Sequence, residues 1–343
     1  MKKIFLINII LITIFASCST ELDVNAEWDE IPVIYCLLNQ NDSVHYVRIN
    51  KSFMGNEDAY VMAAESDSLY FNNIEVFLER WKNNSRIEII SLEITTEIVK
   101  DTGIFASDKN IIYKTNEQLF DDSEYKLVVN FPNPEDNVYA TTELIKNFSV
   151  QDYFGRNDSI KKPLRVGDRS YIQPIVWLEG NFTRAYYITL YFQYFEIAPP
   201  DTTEYTISWS FPTIVDEEVY DAADNVIRDR MRVYISGDAF FQFIATSIPV
   251  KQDIKRLVGD IEIEFVLASD DFYTYIVTHK PSSGISQENQ FFTNIENGVG
   301  IFSSRFNKPI KNIYLDDRSK DSLAMGRFTK MLKFPDRYGR WLY

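Results

Sequence analysis

Hydrophobic and polar residues alternate along most of this chain, and strict alternation is the mark of a strand with one buried face. Between 44 and 50, Val44, Tyr46, Arg48 and Asn50 fall on one side, and His45, Val47 and Ile49 on the other. The segments 74–81, 86–90 and 125–130 read the same way. Turn-forming residues separate them at 39–43, 83–85, 121–123 and 132–137. Strands this short, rich in β-branched and aromatic residues, predict a sandwich. The pattern breaks at 56–65, where Asn56 suits the cap of a short helix.

A second strand-rich stretch follows from about residue 149, with its clearest strands at 172–177, 185–195, 205–211 and 261–267. The charged run 216–230 reads as a loop or exposed hairpin. One helix is expected over 270–279. Ser269 caps it, Asp270 and Asp271 suit its positive end, and Lys280-Pro281 stops it. Phe272, Tyr275, Ile276 and His279 recur at helical spacing, which predicts a face packed into a core.

The N-terminus obeys different rules. Lys2 and Lys3 precede an apolar run over 4–15, about a dozen residues, too short to span a bilayer as a helix. The run ends in small residues directly before Cys18, a pattern that resembles the bacterial lipobox. The expectation is a signal peptide over 1–17, lipidation of Cys18, and a polar, acidic tether over 18–30. A covalent lipid would hold the chain to a membrane.

Composition narrows the partners. The net charge is −15 and the isoelectric point about 4.7. Binding to nucleic acid needs a basic face, and so does an electrostatic grip on anionic lipid; neither is expected here. Of two cysteines, lipidation consumes Cys18 and leaves Cys36 without a disulfide partner. Cys36 sits in the apolar run 31–38, with no basic residue close by to activate its thiol, and reads as an inert core residue.

Reactive chemistry finds no footing in the pattern. The two histidines, His45 and His279, are far apart and form no zinc motif. No organised serine nucleophile is present, and Gly298-x-Gly300 lacks the third glycine of a dinucleotide loop. Acidic clusters at 121–122, 216–224 and 316–317 miss the spacing of a calcium loop and read as solvated surface. Tyr186, Tyr187, Tyr191, Phe192, Tyr194 and Phe195 alternate across one strand. They suit either a buried face with tyrosines leaning over the other, or an exposed platform for glycan or peptide.

Two stretches carry a family resemblance. The helix Phe272-Tyr-Thr-Tyr leads through a polar loop to Thr293-Asn-Ile-Glu-Asn-Gly-Val-Gly-Ile-Phe, and Ile34-Tyr-Cys-Leu-Leu is followed by Val47-Arg-Ile-Asn-Lys-Ser-Phe. Together they resemble the DUF4249 family of Bacteroidetes lipoproteins, over roughly 32–305. The resemblance implies a periplasmic or surface lipoprotein with an immunoglobulin-like (Ig-like) N-terminal part, of a kind that often accompanies TonB-dependent outer-membrane receptors, and it implies no catalytic residues. From the residues themselves, Gly298 and Gly300 suit a tight turn or a close backbone approach. Ile295 and Ile301 anchor that segment, and Asn294 and Asn297 close it.

The sequence therefore predicts an all-β protein of two sandwich-like units, 31–148 and 149–320, the second with a short helix, and a C-terminal tail over 321–343. The expected role is non-catalytic: an outer-membrane-anchored lipoprotein serving a TonB-dependent transporter as accessory or ligand-capture partner. The alternatives are a surface glycan- or peptide-binding module and, less favoured, an unrecognised hydrolase. No metal, cofactor or catalytic residue is expected, and no ligand-binding residue is assigned.

Overall fold

The computed structural model describes residues 30–52, 59–152, 154–157, 159–167, 172–216, 219–220, 226–227, 230–280 and 291–342. Cys18, the leader and the tether up to 29 lie outside them, as does Asn56.

The fold is all-β with a few short helices. In the first half, alternation places each strand as expected. β1 (Pro32–Leu38) and β2 (His45–Lys51) pair antiparallel, and α1 (Ala59–Ala63) follows. Next come β3 (Glu75–Lys82), β4 (Ser85–Ser91), β5 (Glu93–Thr95), β6 (Ile112–Thr115), β7 (Glu124–Asn130) and β8 (Val138–Glu143). The β3–β4 hairpin turns through Asn83 and Asn84 at φ 49 and 59, the positive angles that such a turn demands and asparagine tolerates. A four-stranded sheet in the order β4-β3-β7-β8 faces β1 and β2. Ile34, Val47 and Ile49 from one side meet Val76, Leu78, Leu127 and Val129 from the other. Each such side chain contributes roughly 1.5–3 kcal/mol by leaving water.

The second half contains β9 (Lys162–Leu164), β10 (Ile172–Leu178), β11 (Ala185–Ala198), β12 (Asp201–Ser210) and β13 (Ile214–Val215). The charged run does hold a small hairpin, β14 (Val219–Tyr220) against β15 (Val226–Ile227), before β16 (Arg230–Ser236). Then follow α2 (Gly237–Ser247), β17 (Lys255–Ala268), α3 (Asp270–Thr278), β18 (Val299–Leu315) and α4 (Asp317–Met325). Tyr186, Ile188, Leu190 and Phe192 of β11 and Ile263, Phe265 and Leu267 of β17 pack against Trp177, Ile235, Phe240 and Ile244. Trp177 sets its edge on Phe265 at 5.2 Å between ring centres.

One strand serves both cores. Val299–Ser304 of β18 runs parallel to β1, and Arg305–Ile313 pairs antiparallel with β17. A ten-stranded sheet results, ordered β12-β11-β17-β18-β1-β2-β6-β5 along its main path. The first core ends at Leu144 and the second begins at Ile145, yet Ile295 and Phe302 lie in the first. The sequence boundary at 148/149 thus meets a chain that returns to the first core late. The segment read as a tail, 321–343, is not loose: Leu323, Leu332 and Phe334 are buried in the second core.

Candidate functional site

At the seam, where β18 changes partner, an open cleft of about 780 Å³ lies between the two cores. Glu124 of β7 and Thr141 and Glu143 of β8 form one wall; Phe182, Thr183 and Arg184 before β11, Asp216 after β13, and the start of α3 form the other.

The floor is built by the turn from β17 into α3. Ser269 caps the helix, its Oγ accepting from the Phe272 amide at 3.4 Å, and meets the Ser303 hydroxyl at 2.5 Å. Asp270 lies 3.5 Å from the Arg184 guanidinium. Asp271 accepts from Asn294 Nδ2 at 2.8 Å, and the same amide brackets the backbone of Phe302. Arg184 also donates to the Asp216 carbonyl oxygen, while the Asp216 amide donates back to the Arg184 carbonyl at 2.8 Å. On the opposite wall, burial and then the neighbouring Glu124 push the Glu143 carboxyl up, with Lys146 opposing them. Carboxylates outnumber the guanidinium here, so the cleft suits cationic or polyhydroxylated groups better than apolar or anionic ones.

Of the residues singled out from sequence, only the α3 cap and its acids reach this cleft along with Asp216. Glu217, Glu218, Asp221 and Asp224 lie outside the described residues. Asp122 instead pairs with Lys82 and Arg80. The Lys82 bond, with those of Ser123 and Arg80, holds its carboxyl down to about 2. Asp316 caps α4 by accepting from the Ser319 amide at 3.0 Å. Among the described residues no cluster of histidine, cysteine and carboxylate side chains is arranged to hold a metal ion.

His45 is buried in the first half and His279 ends α3 stacked on Tyr275, 3.9 Å between ring centres. Cys36 is buried, and burial pushes its thiol well up. Asn297 donates to the Asn137 carbonyl at 2.9 Å, and Ile295 and Ile301 are buried, so the glycine segment is a structural corner. On β11, Tyr186, Phe192 and Tyr194 face the core. Tyr187, Tyr191 and Phe195 lean half-buried on the other side, Tyr191 bonding Glu264 at 3.2 Å.

One expectation is corrected. The apolar stripe of α3 is not core, since none of its residues is buried. The helix lies over β18, and Tyr275 meets the exposed Tyr35 edge-on at 6.3 Å. Its stripe covers a sheet face that is itself on the surface, which leaves the rings half in water.

Sequence reasoning missed Arg184, Glu143 and Ser303. Each comes from a separate element, and long-range contacts to β18 bring them together: Ser304 Oγ donates to the Glu143 carbonyl, and the Arg184 amide bonds Ala268 of β17, which pairs with Arg305. Among the described residues no helix is long and apolar enough to cross a membrane. No family model and no curated protein matches this chain.

Proposed function

We propose that the chain is a non-catalytic lipoprotein held to the outer membrane through Cys18, working as accessory or ligand-capture partner of a TonB-dependent transporter. The N-terminal pattern supports the anchor, and the resemblance to DUF4249 lipoproteins supports the partner class.

The observation that carries this reading is the polarity of the long strand. The described chain enters the sheet at Pro32, and Val33 pairs with Val299, the start of β18. That strand has seventeen residues, about 55 Å at roughly 3.3 Å each. Lys255 and Ile197, paired at the start of β17 and the end of β11, lie past its far end. A tethered molecule would therefore hold its first core near the membrane and project the second, with the β11–β12 hairpin at its tip. The acidic seam cleft faces solvent between them. This is the layout of an adaptor that reaches toward something.

Two measurements test it. Cys18→Ser should move the protein from the membrane to the soluble fraction. Mild-detergent purification from its native envelope should recover a stoichiometric TonB-dependent barrel. Recovery of the protein alone, under conditions that preserve such complexes, would sink the accessory role.

A further inference from the structure

β12 forms one end of the ten-stranded sheet, and among the described residues no strand pairs with its outer edge. Its ten residues pair with β11 in unbroken register from Ser210 to Asp201. The Phe211 amide donates to the Ile188 carbonyl at 2.9 Å, one step beyond Ser210, which fixes the phase of the ladder. Antiparallel pairs alternate, so Thr203, Tyr205, Ile207 and Trp209 bond to β11. Thr202, Glu204, Thr206, Ser208 and Ser210 turn their amide and carbonyl groups outward.

Edges of this kind are normally blunted by shortness, lysine, proline or a bulge. β5, at the other end of the sheet, is three residues long. β12 has no lysine, proline or glycine, and its threonine, tyrosine, isoleucine and tryptophan all favour extended backbone. It is also held in place. Tyr205 stacks on Tyr194 at 5.4 Å and Trp209 on Phe243 at 5.4 Å, so little ordering would be needed on binding.

Charge selects the occupant. The only charged residues of β12 are Asp201 and Glu204, and Gln193 Nε2 steadies Glu204 on the outer row at 2.6 Å. Glu262 and Glu264 extend the acidic row across β17. A second copy fits poorly: two-fold antiparallel pairing at this edge would point the two chain entries in opposite directions, away from a common membrane.

We propose that the outer edge of β12 docks an extended, basic segment of a partner protein, which joins the sheet as its next strand with a lysine or arginine against Glu204. The choice against a second copy rests on the anchoring reading, but the docking can fail separately from it, because the interaction is read in solution on the Cys18→Ser chain as well as on the full chain in detergent.

The probe is a fluorescein-labelled peptide of alternating valine and lysine, with its valine–glutamate counterpart, followed by polarisation. The lysine peptide should bind and the glutamate peptide should not. Glu204→Lys, which leaves the ladder intact, should reverse that preference. Thr206→Pro removes an outward amide without touching a bond to β11 and should weaken binding by about tenfold or more. If Thr206→Pro fails to fold by circular dichroism, the charge reversal alone decides. Absence of binding, or a preference indifferent to Glu204→Lys, overturns the proposal. So does a solution dimer of the wild-type chain that Glu204→Lys or Thr206→Pro dissolves, since the edge would then belong to a second copy.

Discussion

Arg256 and Glu196 form a buried ion pair 2.6 Å apart, with neither side chain more than 4% exposed. The rest of the guanidinium is spent on the C-terminal segment and its surroundings: it donates to the carbonyls of Leu332 and Pro249, each at 2.8 Å. Lys251 adds a second cation at 2.5 Å from the carboxylate. Arg256→Met should cost about 3 kcal/mol in urea unfolding, because it leaves the buried carboxylate with Lys251 alone and strips the Leu332 and Pro249 carbonyls of their donor. Arg256→Met with Glu196→Met should recover much of that loss. Burial alone would raise the Glu196 carboxyl; the bonds and charges of Lys251 and Arg256 outweigh it and hold it below its ordinary value. A depressed carboxyl stabilises the fold above about pH 4.3 and stops doing so as pH falls through the lowered value. The acid limb of a stability–pH curve should therefore flatten in the double variant.

His45 works on the same limb at higher pH. Burial lowers its pKa, against the opposing pull of Asp42 and a backbone hydrogen bond with Glu117. Its Nε2 is buried without a hydrogen-bond partner. The neutral ring fits the fold and the charged ring does not. Its contribution is complete above about pH 6.5 and declines as pH falls through the lowered value. His45→Gln should lose that dependence below about pH 6.5 in denaturant titrations. An unchanged slope would show that the ring takes up its proton without penalty.

Cys36 predicts the opposite limb. Its raised thiol pKa follows from burial and nothing else. The thiol form stabilises the fold below about pH 8.5, and that contribution is lost progressively as pH rises toward the folded value. Iodoacetamide should label Cys36 only after unfolding, and Cys36→Ala should flatten the alkaline limb. Rapid labelling of the native protein would contradict the burial of this side chain.

These local features were legible because they obey short-range rules. Alternation placed β2 and β11, and Ser269-Asp-Asp placed the start of α3. The starts of α2 and α4 were equally well signed, with Ser236 and Asp316 each capping an amide three residues on. Gly237 at the opening hides α2, although Phe240, Phe243 and Ile244 recur at helical spacing, and a charged run hides α4. The seam could not be read at all. It depends on β1 pairing with β18, and nothing local in 32–38 names 299–304 as its partner. The cleft inherits that blindness, because its walls are unrelated in sequence. The exposure of α3 was misjudged for a related reason: spacing reports that a face is apolar, and only the tertiary fold says whether anything covers it.

Gly300 is where that long-range pairing is most exposed to test. It lies in β18 opposite Ile34 at φ 115, and a β-carbon there would stand 2.0 Å from the Ile34 carbonyl oxygen. Both the angle and the contact reject alanine, and backbone cannot move aside as a flexible side chain would. Gly300→Ala should cost at least about 2 kcal/mol. The more telling question is where the loss appears. Trp177 and Trp209 belong to or pack against the second core, whereas Ile34 and Phe302 belong to the first, and Trp81 sits in β3 beside it, so the test is run with Trp28 and Trp81 replaced by phenylalanine. If β18 couples the cores, Gly300→Ala should lower the midpoint of the tryptophan transition together with that of far-ultraviolet circular dichroism, in one cooperative step. If the cores are independent, circular dichroism should show an early partial transition while the tryptophan signal holds its wild-type midpoint. The first outcome would mean that a load on the first core, such as a tether or a partner, is felt at the distal sheet through one strand. The second would reduce β18 to a covalent link.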